Sequence, residues 1–125
     1  PIQPYRSSAR GRVELLPEYA AGLKDLDGFS HVILLYFFHD AGPGFELEVT
    51  PFLVEASKGL FATRYPRRPN GIGISMVRLV RCDGCVLHVD GIDVLDRTPL
   101  LDLKPYVPPF DAFPEARLGW LAGRT

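Results

Sequence analysis

Three arginines, Arg64, Arg67 and Arg68, sit among prolines and turn residues in the run Gly59-Leu60-Phe61-Ala62-Thr63-Arg64-Tyr65-Pro66-Arg67-Arg68-Pro69-Asn70. Guanidiniums bind carboxylate, phosphate or nucleic-acid backbone, often through paired hydrogen bonds. The commoner fate of such a cluster is a solvated loop with surface ion pairs. The apolar stretch 59–63 places Arg64 at a strand end, and Pro69-Asn70-Gly71 reads as a turn. Asn70 either presents its amide to a ligand or takes the left-handed turn conformation. A second run, Thr98-Pro99-Leu100-Leu101-Asp102-Leu103-Lys104-Pro105-Tyr106, sets Asp102 and Lys104 two apart, so a strand carries both on one face. They pair with each other or hold a ligand between them. Pro105 keeps Lys104 extended, and Tyr106 offers a ring for stacking and a hydroxyl. Proline beside charge fixes backbone, which a polar ligand site needs.

The remaining reactive side chains are less informative. His31 and His39 bracket an apolar strand about 26 Å apart at ~3.3 Å per residue, so one metal cannot bridge them. His39, beside Asp40, is the better site candidate, and His88 reads as structural. Cys82 and Cys85 form C-x-x-C around Asp83-Gly84, with no second ligand pair for zinc. Asp-Gly between apolar runs reads as a two-residue hairpin turn, with the thiols facing each other across it. Gly71-Ile72-Gly73 begins like a phosphate loop but lacks a third glycine and a following helix. No metal site, nucleophile–histidine arrangement or assignable carboxylate pair is evident.

These residues are held by strands. Residues 11–16 alternate polar and apolar, as do 45–52, with Phe45, Leu47 and Val49 on one side. Residues 17–28 read as helical turns, with Pro17 at a first helical position and Gly28 as a stop. The stretch 31–39 is aromatic and branched throughout and reads as a strand buried on both faces. Further strands are expected at 76–81, 86–89, 92–95 and 100–103. Residues 105–114 hold four prolines and should be extended and irregular. Residues 117–125 read as a short helix carrying Trp120. The pattern is all-β, a small barrel or sandwich, in one domain over 1–125. Twelve prolines and twelve glycines in 125 residues fit this turn-rich reading. A net charge of −1 leaves no global field for nucleic acid, so RNA contacts must be local. The longest apolar run is too short to span a bilayer. Few cysteines and no secretory signal fit a reducing cytoplasm.

Taken together, three long runs resemble one family. G-L-F-A-T-R-Y-P-R-R-P-N-G-I-G-I-S, D-V-L-D-R-T-P-L-L-D-L-K-P-Y-V-P and L-D-G-F-S-H-V-I-L-L-Y-F-F-H are similar to signatures of the TrmO (TsaA-like) proteins, and Pro1-Ile2-Gln3 to their opening P-x-Q. The resemblance covers nearly the whole chain. It implies a small β-barrel, homodimeric, S-adenosylmethionine-dependent methyltransferase. Its substrate would be N6 of threonylcarbamoyl-modified adenosine 37 of tRNA. The implied donor contacts are Pro1, Ile2, Gln3, His39, Asp40, Arg64, Ile74, Asp102, Leu103, Lys104 and Pro105. Arg67, Arg68, Asn70 and Tyr106 are implied substrate contacts. A zwitterionic donor tail wants a cation for its carboxylate, Arg64 or Lys104, and Asp102 for its ammonium. Methyl transfer from a sulfonium needs no metal, and no catalytic base is identifiable.

The chain departs from the signatures in three places. Gly71 replaces a proline, which loosens the Asn70 turn. Arg97 replaces a glycine, leaving open whether that turn keeps a positive φ. The strand that usually precedes Pro1 is missing, so the chain reads as a fragment. Two rival readings share the same residues: a non-catalytic module that binds an adenosyl ligand or RNA, and a methyltransferase with a small-molecule acceptor.

Overall fold

The computed structural model describes residues 10–38, 42–92 and 97–124. Five strands form one antiparallel sheet in the order β1-β6-β5-β2-β7: β1 (Arg10–Glu14), β2 (His31–Phe37), β5 (Ile72–Asp83), β6 (Val86–Asp90) and β7 (Leu100–Pro105). A two-stranded sheet pairs β3 (Glu48–Val49) with β4 (Lys58–Gly59). The 12-residue β5 is the spine. Its first half pairs with β2, from His31↔Arg78 to Phe37↔Ile72, and its second half with β6. A bulge between Leu79 and Arg81 leaves Val80 unopposed and turns the strand between these two pairings.

The chain is all-β, as expected, but the described strands form an open sheet rather than a closed barrel. β1 and β7 are its edges and do not pair with each other.

Among the described residues, one face of the sheet carries the core. Val13, Val32, Leu34, Tyr36, Val77, Leu79, Leu87 and Val89 point into it, covered by Leu23 and Leu26. Those two leucines lie on 3-10 turns at Pro17–Leu23 and Leu26–Gly28, short pieces that start at Pro17 and stop at Gly28 as expected. Removing Leu34, 1% exposed, to alanine would cost about 2–5 kcal/mol. β2 is therefore not buried on both faces. Val32, Leu34 and Tyr36 are buried, while Ile33 and Leu35 are half-covered and Phe37 is 43% exposed. Alternation was invisible because both faces of β2 are apolar.

Other expectations shift. Of 45–52 only Glu48–Val49 is strand, and Phe45 and Leu47 are exposed. Within 105–114, Pro108–Asp111 forms one helical turn (α1), with prolines at its start and Asp111 Oδ2 accepting the Val107 N–H at 2.8 Å. The terminal helix is a single 3-10 turn, Gly119–Leu121. The expected strand at 92–95 falls largely outside the described residues. Among the described residues, no helix is long and apolar enough to cross a membrane.

The Cys hairpin forms with a shifted register. Asp83 pairs with Val86, so Gly84 and Cys85 make the turn, with Gly84 at φ 59°. Cys82 lies opposite Leu87, so the two thiols do not face each other. Burial, then the Asp27 and Asp83 carboxylates, raise the Cys82 thiol pKa, which disfavours the reactive thiolate. His88 is paired structurally, its Nε2 3.1 Å from Asp83 Oδ2.

Candidate functional site

The three sequence runs converge at one end of β2. The Phe37 N–H donates to Pro99 O at 3.0 Å, and the Phe38 N–H to Gly71 O at 2.7 Å. These bonds draw together Thr98-Pro99, Asn70-Gly71 and the end of the strand that His39 and Asp40 follow in sequence. Gly73 permits the same approach. A Cβ there would lie 2.3 Å from Tyr36 Cε2, and Tyr36 is fixed by a 2.7 Å bond between its hydroxyl and Ser75 Oγ. Gly73 of the G-x-G thus serves packing.

The outward face of β7, β2 and β5 forms ordered cross-strand rows. Asp102, Leu35 and Ile74 make one row, and Lys104, Ile33 and Met76 the next. Neighbouring strands lie about 4.8 Å apart, so a carboxylate and an ammonium border an apolar surface. Phe37, Ile72, Ile74 and Met76 there are 40–50% exposed. Asp102 and Lys104 share the face, as expected, and pair at 2.8 Å. Asp102 Oδ1 also accepts the Leu103 N–H at 2.8 Å. The Lys104 hydrogen bond, then the Leu103 N–H, hold the Asp102 carboxyl below its ordinary 3.8. Leu103 packs its side chain toward the core opposite Leu34, and Pro105 lies opposite Val32, so only their backbones border the outward face. Tyr106 stands at the far end of β2, its N–H bonded to His31 O at 3.0 Å and its ring edge-on to His31 at 6.3 Å.

The arginine run is a loop, not a strand end. Leu60–Ala62 is a 3-10 turn, and Arg64 follows its cap, Thr63. Thr63 ties the turn through its N–H and Oγ1, both donating to Leu60 O at 3.1 and 2.8 Å. Arg68 is committed to the loop: its guanidinium donates to Thr63 O and Tyr65 O, both at 2.9 Å, and lies 5.8 Å from the Phe61 ring centroid. Arg64 and Arg67 are exposed and make no hydrogen bond or ion pair among the described residues. Asn70 does not take the left-handed conformation. Its carbonyl accepts the Ile72 N–H at 2.8 Å, and its side chain is exposed. Arg97 keeps a positive φ, 65°, in place of glycine.

Ile74, Asp102 and Lys104 are thus brought together on one face, while Arg64, Arg67, Arg68 and Asn70 share the loop entering β5. Tyr106 stands apart from both groups. Pro1, Ile2, Gln3, His39 and Asp40 lie outside the described residues. Ile33, Leu35, Met76 and Phe37 also belong to this face, and it is their pairing register, not their residue type, that puts them there. A depression lined by Arg117, Leu118, Gly119 and Ala122 contains none of the candidate residues.

An open antiparallel sheet whose outward face sets a charged pair beside apolar rows makes this an all-β domain, built without the parallel α/β architecture of dinucleotide folds. The chain belongs to the tRNA-methyltransferase O N-terminal domain family, whose profile matches residues 1–112. It is 54% identical over 112 residues to a probable S-adenosyl-L-methionine-binding protein of Pyrococcus abyssi, covering 89% of this chain and 60% of that protein. It is 39% identical over 98 residues to a tRNA (adenine(37)-N6)-methyltransferase of Mus musculus, covering 77% of this chain and 22% of that protein. A crystal structure of TrmO superposes with a TM-score of 0.79 at 48% identity, covering 95% of this chain and 54% of that one. The chain therefore spans little more than half the length of the first and last of these relatives, and less of the second.

Proposed function

We propose that this domain binds S-adenosylmethionine beside the outward face of β7, β2 and β5 and directs its methyl group to N6 of threonylcarbamoyl-modified adenosine 37 of tRNA. The observation that carries this reading is the convergence of Pro99, Gly71 and the end of β2 through two backbone hydrogen bonds. The residues suit a zwitterion with an apolar body. Asp102 accepts the ammonium, Arg64 or Lys104 takes the carboxylate, and Leu35 and Ile74 border the remainder. Pro1, Ile2, Gln3, His39, Asp40 and the backbones of Leu103 and Pro105 complete the donor contacts. Arg67, Asn70 and Tyr106 face the tRNA, and Arg68 shapes their loop. The bound sulfonium supplies an electrophilic methyl. The protein's part is to orient a weakly nucleophilic N6 in line with it and to limit water.

The domain works as one unit over 1–125, as a homodimer in the cytoplasm. The part of the outward face beside the donor, with Phe37, Ile72 and Met76 exposed, favours burial against a second copy, and closing a barrel would need a further strand joining the free edges of β1 and β7. Light scattering of the full-length protein at micromolar concentration should return twice the protomer mass; a protomer mass would remove the dimer. Activity is tested by treating tRNA with full-length protein and the donor, then weighing its nucleosides. One added methyl on the modified adenosine 37 is expected. Donor binding without that product would turn the reading to a binding module, and methylation of a small molecule alone to the other acceptor class.

A further inference from the structure

We infer that Trp120 is a positioning residue for donor binding, holding the Arg64 loop in place through the Ala62 carbonyl. The inference rests on the donor reading above. Trp120 lies beyond the 1–112 span of the family profile. Its indole Nε1–H donates to Ala62 O at 2.8 Å, two residues before Arg64.

The loop has few other restraints. The Leu60 N–H donates to Leu47 O at 2.8 Å on one side, and Gly71 O accepts from Phe38 at 2.7 Å on the other. Between those anchors, the hydrogen bonds of Thr63, Tyr65 and Arg68 stay inside the loop. Among the described residues, the Trp120 bond is the one that ties residues 61–70 to a distant part of the chain. A three-residue 3-10 turn is a weak element by itself, so an external tether decides where it sits.

Trp120 is itself held. The Arg124 Nε–H donates to Trp120 O at 3.2 Å, and the Lys58 ammonium lies 5.8 Å from the indole centroid. Lys58 belongs to β4, directly before the turn, so the indole grips both sides of Leu60. Leu60 is 1% exposed yet lies outside the main core cluster. A displaced loop keeps its internal bonds but carries Arg64 out of register with the charged face, which lowers affinity more than stability.

The test uses full-length wild type, Trp120→Phe, Arg64→Ala and the double variant, each titrated calorimetrically with S-adenosylhomocysteine. Trp120→Phe keeps a ring and removes the N–H. It should weaken binding roughly threefold to tenfold, the worth of one hydrogen bond. The same change should do nothing further once Arg64 is alanine, because contacts acting through one group do not add. Wild-type affinity in Trp120→Phe, or an equal loss in both backgrounds, would overturn the inference while leaving the donor reading standing. No binding by folded wild type would sink the donor reading and this inference with it.

Discussion

Replacing Arg64 with alanine should separate binding from folding. The Arg64 side chain is exposed and engages no described partner, so its loss should change stability by no more than about 0.5 kcal/mol. A guanidinium–carboxylate contact is worth about 1.5–3 kcal/mol, and water at an exposed loop pulls that toward the lower end. At about 1.4 kcal/mol per tenfold, donor affinity should fall somewhat more than tenfold. Arg68→Ala is the contrasting case. It removes two 2.9 Å bonds that brace the loop, to Thr63 O and Tyr65 O. It should lower the melting temperature by several degrees, as about 1–2 kcal/mol does in a domain of this size. Titration calorimetry with S-adenosylhomocysteine and differential scanning calorimetry measure the two quantities. Unchanged affinity in Arg64→Ala would remove Arg64 from the site. A large drop in its melting temperature would show that the guanidinium is part of the fold, and the reasoning from its free state would fail.

Gly73→Ala should destabilise by about 1–3 kcal/mol in urea, because its Cβ would meet the buried Tyr36 ring at 2.3 Å; a neutral result would mean the ring moves freely. Arg97→Gly should raise stability by about 0.5 kcal/mol, the relief of a left-handed residue at φ 65° outweighing the added freedom of the unfolded chain. Measured destabilisation would show instead that the Arg97 side chain contributes more than its backbone costs. Lys104 and Arg81 hold the Asp102 and Asp83 carboxyls below 3.8. Their stabilising share is therefore present above that value and lost as pH falls through the lowered folded values. The Asp102→Asn, Asp83→Asn double variant should lose melting temperature less steeply than wild type below pH 3.8, and parallel curves would refute the linkage.

Much of this fold was readable where local chemistry decides it. Pro17 and the Asp83-Gly84 pair marked their turns because proline restricts φ and Gly84, at φ 59°, uses the freedom of glycine. Asp102 and Lys104 shared a face because strand period alone requires it. What escaped was set by tertiary pairing. Ile33 and Leu35 look as apolar as Val32 and Leu34, and only the register against β5 and β7 sends them outward. Arg64 was expected at a strand end because Leu60-Phe61 is apolar, but Thr63 caps a 3-10 turn there. The thiols were misjudged by one residue of register, which in a hairpin changes every opposed pair. Trp120 carried no local signal, since its partner Ala62 is 58 residues away. The convergence of the three runs was likewise legible only as family resemblance, because Phe37–Pro99 and Phe38–Gly71 are long-range bonds.

The most direct test of the central claim is calorimetric titration of the full-length protein with S-adenosylmethionine, repeated with S-adenosylhomocysteine. Saturable binding near one per protomer, weakened more than tenfold by Arg64→Ala, is the predicted result. A folded protein that binds neither molecule would contradict the assignment of this face as a methyl-donor site.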